Sequence, residues 1–209
     1  MKTIVYPTEY PKALPIMEQF YTIQGEGRYA GHAAYFIRVA GCDVGCVWCD
    51  VKESWEVEPS QWVDVNEIVR QALEYPCRLV VLTGGEPAMY DLSELTALLK
   101  SNGFRIHIET SGAYPLSGDL DWITVSPKKF KAPLQEVIAV AHELKVVVFN
   151  SSDFKWAEQN ALHTNDDCKL YLQTEWNKKD LFNDLLINYI KAHPEWSLSV
   201  QTHKYLDIP

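Results

Sequence analysis

The loop Gly41-Cys42-Asp43-Val44-Gly45-Cys46-Val47-Trp48-Cys49-Asp50 carries three cysteines with the spacing C-x3-C-x2-C, and it follows the apolar run 35–39, which we predict to be a strand. Three thiolates on one loop can bind three irons of a [4Fe–4S] cluster, which normally takes four cysteines. The fourth iron then stays open to a small molecule. The same cysteines also fit part of a zinc site, with His32, Cys77 or Cys168 as the fourth ligand. The spacing by itself leaves both metals open.

The composition is that of a globular protein with one hydrophobic core. The chain has 209 residues, of which 47% are hydrophobic, and this length suits a single domain over residues 1–209. No apolar run approaches the length of a membrane span, and residues 1–7 lack the apolar segment of a signal peptide. We therefore expect a cytoplasmic protein. In a reducing compartment, three cysteines in one loop indicate a metal site rather than a disulfide framework.

The charge balance argues against a nucleic-acid partner. The formal net charge is -9, whereas binding to a phosphate backbone needs clustered Lys and Arg. The basic cluster at 128–131 is too short to bind nucleic acid by itself. We expect neither a nucleic-acid partner nor a membrane partner.

Short apolar strands alternate with amphipathic helices along most of the chain. The predicted strands are 17–23, 35–39, 79–82, 105–109, 122–125, 145–149, 169–172 and 197–201. The segments with helical periodicity are 65–73, 92–99, 134–141 and 182–190. Asp64 with Glu67 fits a capping box, and Asp91 and Asn177 fit single N-caps. This alternation predicts an α/β fold with a parallel sheet. Because about 200 residues is short for a complete eight-unit barrel, we predict a partial, open β/α barrel.

A second motif, Thr83-Gly84-Gly85-Glu86-Pro87, stands at the C-terminal end of the strand 79–82. This is where α/β sheets and β/α barrels place their sites. Glycines permit close approach of the backbone to a ligand, and a backbone carbonyl or the Glu86 carboxylate can accept a hydrogen bond from an ammonium group. Taken alone, the motif is an ordinary Gly-Gly loop. One strand after the cysteine loop, it favours a cluster over zinc.

The cysteine spacing and the Gly-Gly-Glu-Pro motif, in this order, resemble the radical S-adenosylmethionine (SAM) enzymes. The resemblance implies a [4Fe–4S] cluster on Cys42, Cys46 and Cys49, whose open iron binds the amino and carboxylate groups of SAM. It also implies that an electron from the cluster cleaves SAM to release a 5′-deoxyadenosyl radical. The open barrel is then of the radical SAM type.

Within that superfamily the resemblance narrows. The Gln24-Gly25-Glu26-Gly27 turn, Arg38, the Ser126-Pro127-Lys128 triplet and the terminal Pro209 together resemble the 7-carboxy-7-deazaguanine synthase family over residues 17–209. The resemblance implies a carbon–nitrogen lyase that converts 6-carboxy-5,6,7,8-tetrahydropterin to 7-carboxy-7-deazaguanine with loss of ammonia, in queuosine and 7-deazapurine biosynthesis. It further implies a homodimer and an electron donor such as flavodoxin or ferredoxin.

The resemblance assigns two sets of residues to ligands. The residues implied to bind the substrate are Ile23, Gln24, Gly25, Arg38, Thr83 and Pro209. The residues implied to bind SAM are Gly85, Glu86, Ser111, Ser126, Pro127, Lys128, Gln173, Thr174, Glu175 and Trp176. Arg38 suits a bidentate contact with the substrate carboxylate, with a surface ion pair as the alternative. The tail 202–209 is expected to close the substrate site, with the terminal carboxylate as an acceptor.

Two positions depart from the family pattern. The family usually has Thr or Ser two residues after the third cysteine, where the hydroxyl helps to bind Mg²⁺, but this chain has Val51. Magnesium takes few protein ligands and keeps several waters, so Asp50, water and substrate oxygens still form a candidate magnesium site at Asp50 and Val51. The second departure is Thr174, where many members have Pro.

Two other functions stay open at this point. Radical SAM activases, which generate a glycyl radical on a partner protein, share the cysteine spacing. Such enzymes need a cavity entrance wide enough to admit a polypeptide segment. They do not need Arg38 or a buried terminal carboxylate. A non-catalytic zinc-binding module would bind one zinc and no iron.

Overall fold

The computed structural model describes residues 12–209, in which nine strands form one sheet. The strands are β1 (Ala13–Ile23), β2 (Ala33–Val39), β3 (Trp62–Asp64), β4 (Leu79–Gly84), β5 (Arg105–Thr110), β6 (Trp122–Val125), β7 (Glu143–Val148), β8 (Lys169–Thr174) and β9 (Trp196–Leu198). The helices are α1 (Val65–Leu73), α2 (Ser93–Ser101), α3 (Gln135–Ala139), α4 (Ser152–Ala161), α5 (Lys179–Ala192) and α6 (Thr202–Leu206). The first eleven residues, in which we expect no signal peptide, lie outside the described residues.

The sheet is open and mixed. Its strand order is β3-β1-β2-β4-β5-β6-β7-β8-β9, and each neighbouring pair from β2 to β9 is parallel. β1 runs antiparallel to both β2 and β3. The predicted open α/β architecture is confirmed, whereas the prediction of a purely parallel sheet is wrong at this edge. The four-residue turn 24–27 and the short stretch that follows it return the chain directly, and such a connection joins antiparallel strands.

The hydrophobic core lies between the sheet and the helices. In β4, Val80, Val81 and Leu82 are at most 1% exposed, as expected for a parallel strand whose two faces are both covered. Ile68 of α1 and Leu95 of α2 are equally buried in the same core. Each fully buried aliphatic side chain of this kind contributes about 1.5–3 kcal/mol to folding.

Alternation along the strands directs charged side chains to the opposite face of the sheet. Successive residues of a strand point to opposite faces, and Tyr35, Ile37 and Val39 of β2 belong to the core with the helices. Arg38 therefore points the other way, beside Thr83 in the β2–β4 register. The same alternation turns Glu109 of β5 and Lys145 of β7 toward the face that carries the site.

Several predicted details differ from the structure. Asp64 is the N-cap of α1 and accepts from Asn66 N–H at 2.8 Å. Glu67 does not complete a capping box, because its carboxylate is bound by Arg70 and Gln71. The N-cap positions of α2 and α5 are Leu92 and Lys178 rather than Asp91 and Asn177, but Asp91 does cap α2, because its Oδ1 accepts from the N–H of Ser93 at 3.0 Å.

Some element predictions also miss. The sequence analysis predicted neither β3 nor α4, and it placed the last strand at 197–201 rather than Trp196–Leu198. The tail also forms the short helix α6.

Within residues 12–209, no helix has both the length and the apolar character that crossing a bilayer requires.

Candidate active site

The cysteine loop stands at the C-terminal end of β2. Cys46 is buried, and Cys42 and Cys49 are partly buried. Gly41 and Gly45 have φ values of 94° and 75°, so glycine is favoured at both bends of the loop. In the part of the chain that the structure describes, no three His, Cys, Asp or Glu side chains converge as ligands of a single metal ion.

A cavity of about 220 Å³ opens beside the cysteines, and we call it the cysteine cavity. All three cysteines line it. Eight of the ten residues that the sequence analysis assigned to SAM also line it, namely Gly85, Glu86, Ser111, Ser126, Lys128, Gln173, Glu175 and Trp176. Among the described residues, Pro127 is buried beside this wall, and Thr174 lines a separate, smaller hollow behind it.

A second cavity, of about 110 Å³, adjoins the first, and we call it the terminal cavity because Pro209 lines it. Its wall contains all six residues that the sequence analysis assigned to the substrate, namely Ile23, Gln24, Gly25, Arg38, Thr83 and Pro209. Asp50 and Val51 line it too. Six residues line both cavities, namely Glu26, Arg38, Asp50, Thr83, Glu109 and Gln201. The two predicted binding sites are therefore adjacent in space.

Glu86 ties the end of β4 to the end of β5. Its Oε1 accepts from Ala88 N–H at 3.0 Å and from the Thr110 hydroxyl at 2.5 Å. Its Oε2 accepts from Ser111 N–H at 2.8 Å and from the Ser111 hydroxyl. A carboxylate offers about four lone-pair sites, so these hydrogen bonds use all of them. The Glu86 carboxylate therefore has no lone pair left for an ammonium group.

A buried ion pair lies in the wall of the cysteine cavity. Lys145 Nζ pairs with Glu26 Oε2 and lies 3.8 Å from Glu109 Oε2. Burial opposes the charge on Glu26, but the Lys145 ammonium outweighs it and lowers the pKa of Glu26 to about 2. Burial likewise opposes the charge on Lys145, while Glu109 and Glu26 raise the pKa of Lys145 above its ordinary value. Both partners are ionised at neutral pH.

Further hydrogen bonds join this pair to the substrate residues. Gln24 Nε2 donates to Glu109 Oε1 at 2.8 Å, and Gln201 Nε2 donates to Glu26 Oε1 at 2.9 Å. This series of hydrogen bonds and ion pairs begins at Gln24 and ends at Gln201, and it runs along the wall that the two cavities share. Its members come from four distant parts of the sequence.

Arg38 forms an ion pair, and its side chain also lines the two cavities. Its Nε donates to Glu18 Oε1 at 2.6 Å, which is an ion pair across the β1–β2 register. Its guanidinium carbon also lies 5.9 Å from the centroid of the Phe20 ring. The side chain is only 19% exposed and lines both cavities. The ion pair therefore orients a cation that faces the site.

Lys128 brings a positive charge to the cysteines. Its Nζ donates to Ser126 Oγ at 2.6 Å and lies 5.0 Å from the centroid of the Trp48 ring. Burial lowers the pKa of Lys128 below its ordinary value. Burial also raises the pKa of the Cys42 thiol to about 11 and that of the Cys46 thiol above its usual range, although Lys128 counteracts the second shift. These thiols need a positively charged partner before they ionise.

Glu175 offers an unused acceptor in the same wall. Its Oε1 accepts from the backbone and side-chain N–H groups of Asn177 at 3.2 and 3.1 Å. Its Oε2 is buried and has no partner among the described residues. An unsatisfied buried acceptor costs about 1–3 kcal/mol. A ligand in the cysteine cavity with a hydroxyl group would satisfy it.

The C-terminal segment, residues 202–209, packs over the junction of the two cavities. The N–H and the hydroxyl of Thr202 both donate to the Gly25 carbonyl, at 3.0 and 2.8 Å. His203 lies so close to Gly25 that an added Cβ there would stand 2.2 Å from His203 Nδ1. The rings of Tyr205 and Trp176 meet edge to face at 5.0 Å. These contacts fix the segment on the turn that follows β1.

Several lining residues had no ligand assigned from the sequence, among them Glu26, Glu109, Lys145, Gln201, His203 and Lys204. The local sequence could have indicated Lys145 as a site residue, because it is a charged residue inside an otherwise apolar strand. The proposed fourth zinc ligands lie elsewhere. His32 is exposed, and neither Cys77 nor Cys168 is among the described residues that line these two cavities.

Comparison with known proteins assigns the family. Residues 36–148 match the model of the Radical SAM superfamily. The 7-carboxy-7-deazaguanine synthase of Flavobacterium psychrophilum is 49% identical over 208 residues, which cover 100% of this chain and 99% of that protein. The chain belongs to the 7-carboxy-7-deazaguanine synthase family of radical SAM enzymes. The predictions of a radical SAM fold and of this family are confirmed.

Two further matches extend across nearly the whole chain. The synthase of Synechocystis sp. is 48% identical and covers 93% of each chain. A crystal structure of QueE from Escherichia coli matches with a TM-score of 0.80 at 35% identity, over 90% of this chain and 93% of that chain. The open sheet described above is thus the fold of this family.

Proposed function

We propose that the chain converts 6-carboxy-5,6,7,8-tetrahydropterin to 7-carboxy-7-deazaguanine and ammonia. The observation that carries the proposal is the pair of adjoining cavities. One holds the three cysteines, and the other is lined by all six residues assigned to the substrate. A reaction that starts from a radical on one ligand needs the second ligand in direct reach. Family membership supports the same substrate and product.

The cysteine cavity suits a [4Fe–4S] cluster and SAM. Three partly or fully buried thiols on one loop leave one iron of a cluster without a protein ligand. When bound, the cluster supplies the electron that cleaves SAM to give the hydrogen-abstracting radical. Gly85 has no room for a side chain, because a Cβ would lie 2.2 Å from the Gly41 carbonyl oxygen. The two loops therefore touch through their backbones, and we propose that the carbonyls of this motif receive the SAM ammonium.

Other residues of this wall hold the rest of SAM. We assign the buried Glu175 Oε2 to a ribose hydroxyl, since it is an acceptor without a partner among the described residues. Lys128 and Ser126 keep their side chains together at the cysteine edge of the cavity. Glu86 acts through Ser111 and Thr110, whose hydroxyls it orients. Pro127 and Thr174 support the wall from behind, because Pro127 is buried and Thr174 lines the hollow behind the cavity.

The terminal cavity suits a carboxylated pterin. Arg38 presents a guanidinium, which recognises a carboxylate in a planar, two-point contact. The carboxylate of Glu109 and the main-chain oxygen of Pro209 suit the N–H donors of the pterin ring. Ile23 and Phe20 add apolar surface, and the backbone of Gln24 and Gly25 forms one rim. In this arrangement the substrate carboxylate faces Arg38, while the ring reaches toward the cysteine cavity.

The C-terminal segment closes this site within a single domain that spans the chain. Its Thr202 is bonded to Gly25, and its last residue lines the terminal cavity. The loss of water that closure brings strengthens the electrostatic contacts inside. Pro209 is thereby held at the wall of the substrate site. A glycyl-radical activase would instead need the entrance of this cavity to be open, so that a polypeptide segment could enter it.

Magnesium does not fit the residues present. The predicted ligands were Asp50 and Val51, but Val51 offers no side-chain oxygen, and Asp50 Oδ2 already accepts from Lys204 Nζ at 2.7 Å. Mg²⁺ requires hard oxygen ligands in a nearly octahedral arrangement. No step of the proposed reaction is therefore assigned to magnesium.

The proposed partners are an electron donor and a second copy of the chain. An electron donor such as flavodoxin or ferredoxin would approach the loop where Val47 and Phe130 are 62% and 46% exposed. Exposed apolar side chains beside a redox centre offer such a protein a contact surface. We also propose a cytoplasmic homodimer, which rests on the family resemblance.

The proposed function is tested by anaerobic turnover of the reconstituted protein with SAM, dithionite and the pterin. We expect carboxydeazaguanine to form while SAM is not consumed, and about four irons per chain. Cys42→Ala should abolish both properties, whereas the matched control Cys77→Ala should keep them. Formation of 5′-deoxyadenosine without any deazapurine would reject the pterin and favour the activase. A colourless protein with one zinc would reject the enzyme altogether.

A further inference from the structure

Lys204 reaches from α6 to the junction of the two cavities. Its Nζ donates to Asp50 Oδ2 at 2.7 Å and lies 5.4 Å from the centroid of the Trp176 ring. Its side chain is 22% exposed and lines the cysteine cavity, while Asp50 lines both cavities. Arg38 lines both cavities as well. Two cationic side chains from opposite ends of the chain therefore border the same junction.

The position of Lys204 is fixed by its neighbours. Thr202 makes two hydrogen bonds to the Gly25 carbonyl, and Gln201 binds Glu26. The N–H of Lys204 itself donates to the Gln201 carbonyl at 3.1 Å. A cation held in place before the ligand arrives loses less entropy on binding than a free side chain does. The ammonium group is thus preorganised.

The residues beside Lys204 offer few free oxygen ligands to a divalent cation. A metal ion at Asp50 would share that carboxylate with the Lys204 ammonium, and like charges repel. Val51 adds no oxygen at the next position. The place where the family resemblance implied Mg²⁺ therefore already contains one positive charge supplied by the chain.

We propose that Lys204 is the resident cation of this site and that, together with Arg38, it pairs with the carboxylate of the substrate. The inference rests on the proposed function, because it assigns the carboxylate of the pterin to these two side chains. Asp50 holds the Lys204 ammonium in place on the side away from the substrate carboxylate. Turnover should accordingly proceed without added Mg²⁺.

Substitutions of Lys204 separate its charge from its packing. Lys204→Met keeps an unbranched stem on Trp176 but removes the charge, and it should raise the KM for the pterin by about tenfold to a hundredfold, as expected for a lost charged hydrogen bond. Lys204→Arg should restore most of the affinity. Lys179→Met is the matched control, because Lys179 Nζ lies 3.8 Å from the centroid of the same ring, and Lys179 is not among the described residues that line these two cavities. Its KM should not change.

A direct measurement of metal binding complements the kinetics. Mn²⁺, which replaces Mg²⁺ and is detected by electron paramagnetic resonance, is titrated into protein that holds SAM and the pterin. We expect the natural chain to leave Mn²⁺ free and to turn over equally in EDTA and in Mg²⁺. The double variant Val51→Thr, Lys204→Met should bind one Mn²⁺ per chain and lose turnover in EDTA.

Four results would overturn the inference. The first three are one Mn²⁺ bound by the natural chain, turnover of the natural chain that falls at least about tenfold in EDTA, and an unchanged KM in Lys204→Met. A loss of affinity for SAM equal to the loss for the pterin would make Lys204 structural and would also reject it. If the natural chain does not convert the pterin at all, the proposed function fails, and the Mn²⁺ titration of the natural chain still decides the assignment of Lys204.

Discussion

Lys145 of β7 and Glu26 of the turn after β1 form an ion pair in which the two side chains are only 5% and 13% exposed. The pair links strands that lie five positions apart in the sheet order. Breaking a buried pair by removing one partner is strongly destabilising, because the other charge stays buried without compensation. Removal of either partner should therefore destabilise the fold at the place where the two cavities meet.

Glu26→Gln tests this contribution. We expect the free energy of unfolding at pH 7 to fall by about 3 kcal/mol, at the lower end for a broken buried pair because Glu109 remains near Lys145. Urea denaturation of the natural chain and the variant measures it. A difference close to zero would show that the pair is dispensable.

The pH dependence of the same comparison follows from the pKa of Glu26. This pKa is lowered from 4.5 to about 2, so the stabilisation is fully present above the unfolded value and is lost as the pH falls toward the folded value. The stability difference should shrink between about pH 4.5 and pH 2. Glu67→Gln is the matched control, because the pKa of Glu67 is also lowered to about 2, here by Arg70. Its exposed pair should contribute far less. A difference that stays constant down to pH 2 would contradict the assignment.

Arg38→Ala should weaken binding of the pterin far more than binding of SAM. In the proposed arrangement only the substrate has a carboxylate facing Arg38, and the loss of a hydrogen-bonded charge corresponds to about tenfold to a hundredfold in Kd. Equilibrium binding of each ligand to the reconstituted protein measures the two effects separately. Arg78→Ala is the matched control, since Arg78 stacks on Phe104, and neither is among the described residues that line the two cavities. An equal loss for both ligands would make Arg38 a structural residue.

The sequence predicted the parts of the site that depend on local pattern. The cysteine spacing, the Gly-Gly-Glu-Pro motif and the Ser126-Pro127-Lys128 triplet stand at strand ends, and parallel strands bring their C-terminal ends to one edge of the sheet. Their neighbourhood therefore follows from the alternation of strands and helices. That the six residues assigned to the substrate share one cavity followed only from the family resemblance, since no local pattern places Pro209 beside Ile23.

Residues that act through tertiary contacts escaped prediction. Lys145 and Glu109 reach the site because strand alternation points them to the inner face, and the partner of each is on a distant segment. Lys204 reaches it because α6 docks on Gly25, which no pattern in the tail indicates. The helix α4 was missed for a related reason, because a mostly polar sequence with few apolar anchors gives little helical periodicity.

Gly85→Ala should displace the cysteine loop. A Cβ at Gly85 would lie 2.2 Å from the Gly41 carbonyl oxygen and 2.9 Å from that of Ser54, and both obstacles are backbone atoms that cannot rotate away. We expect reconstituted Gly85→Ala to retain well below about four irons per chain and to lose the brown cluster absorbance. Gly31→Ala is the control, because Gly31 has a φ of 89° but nothing within 4 Å of an added Cβ. That variant should lose some stability through backbone strain and yet keep its iron. Full iron content in Gly85→Ala would show that the cluster loop tolerates the shift.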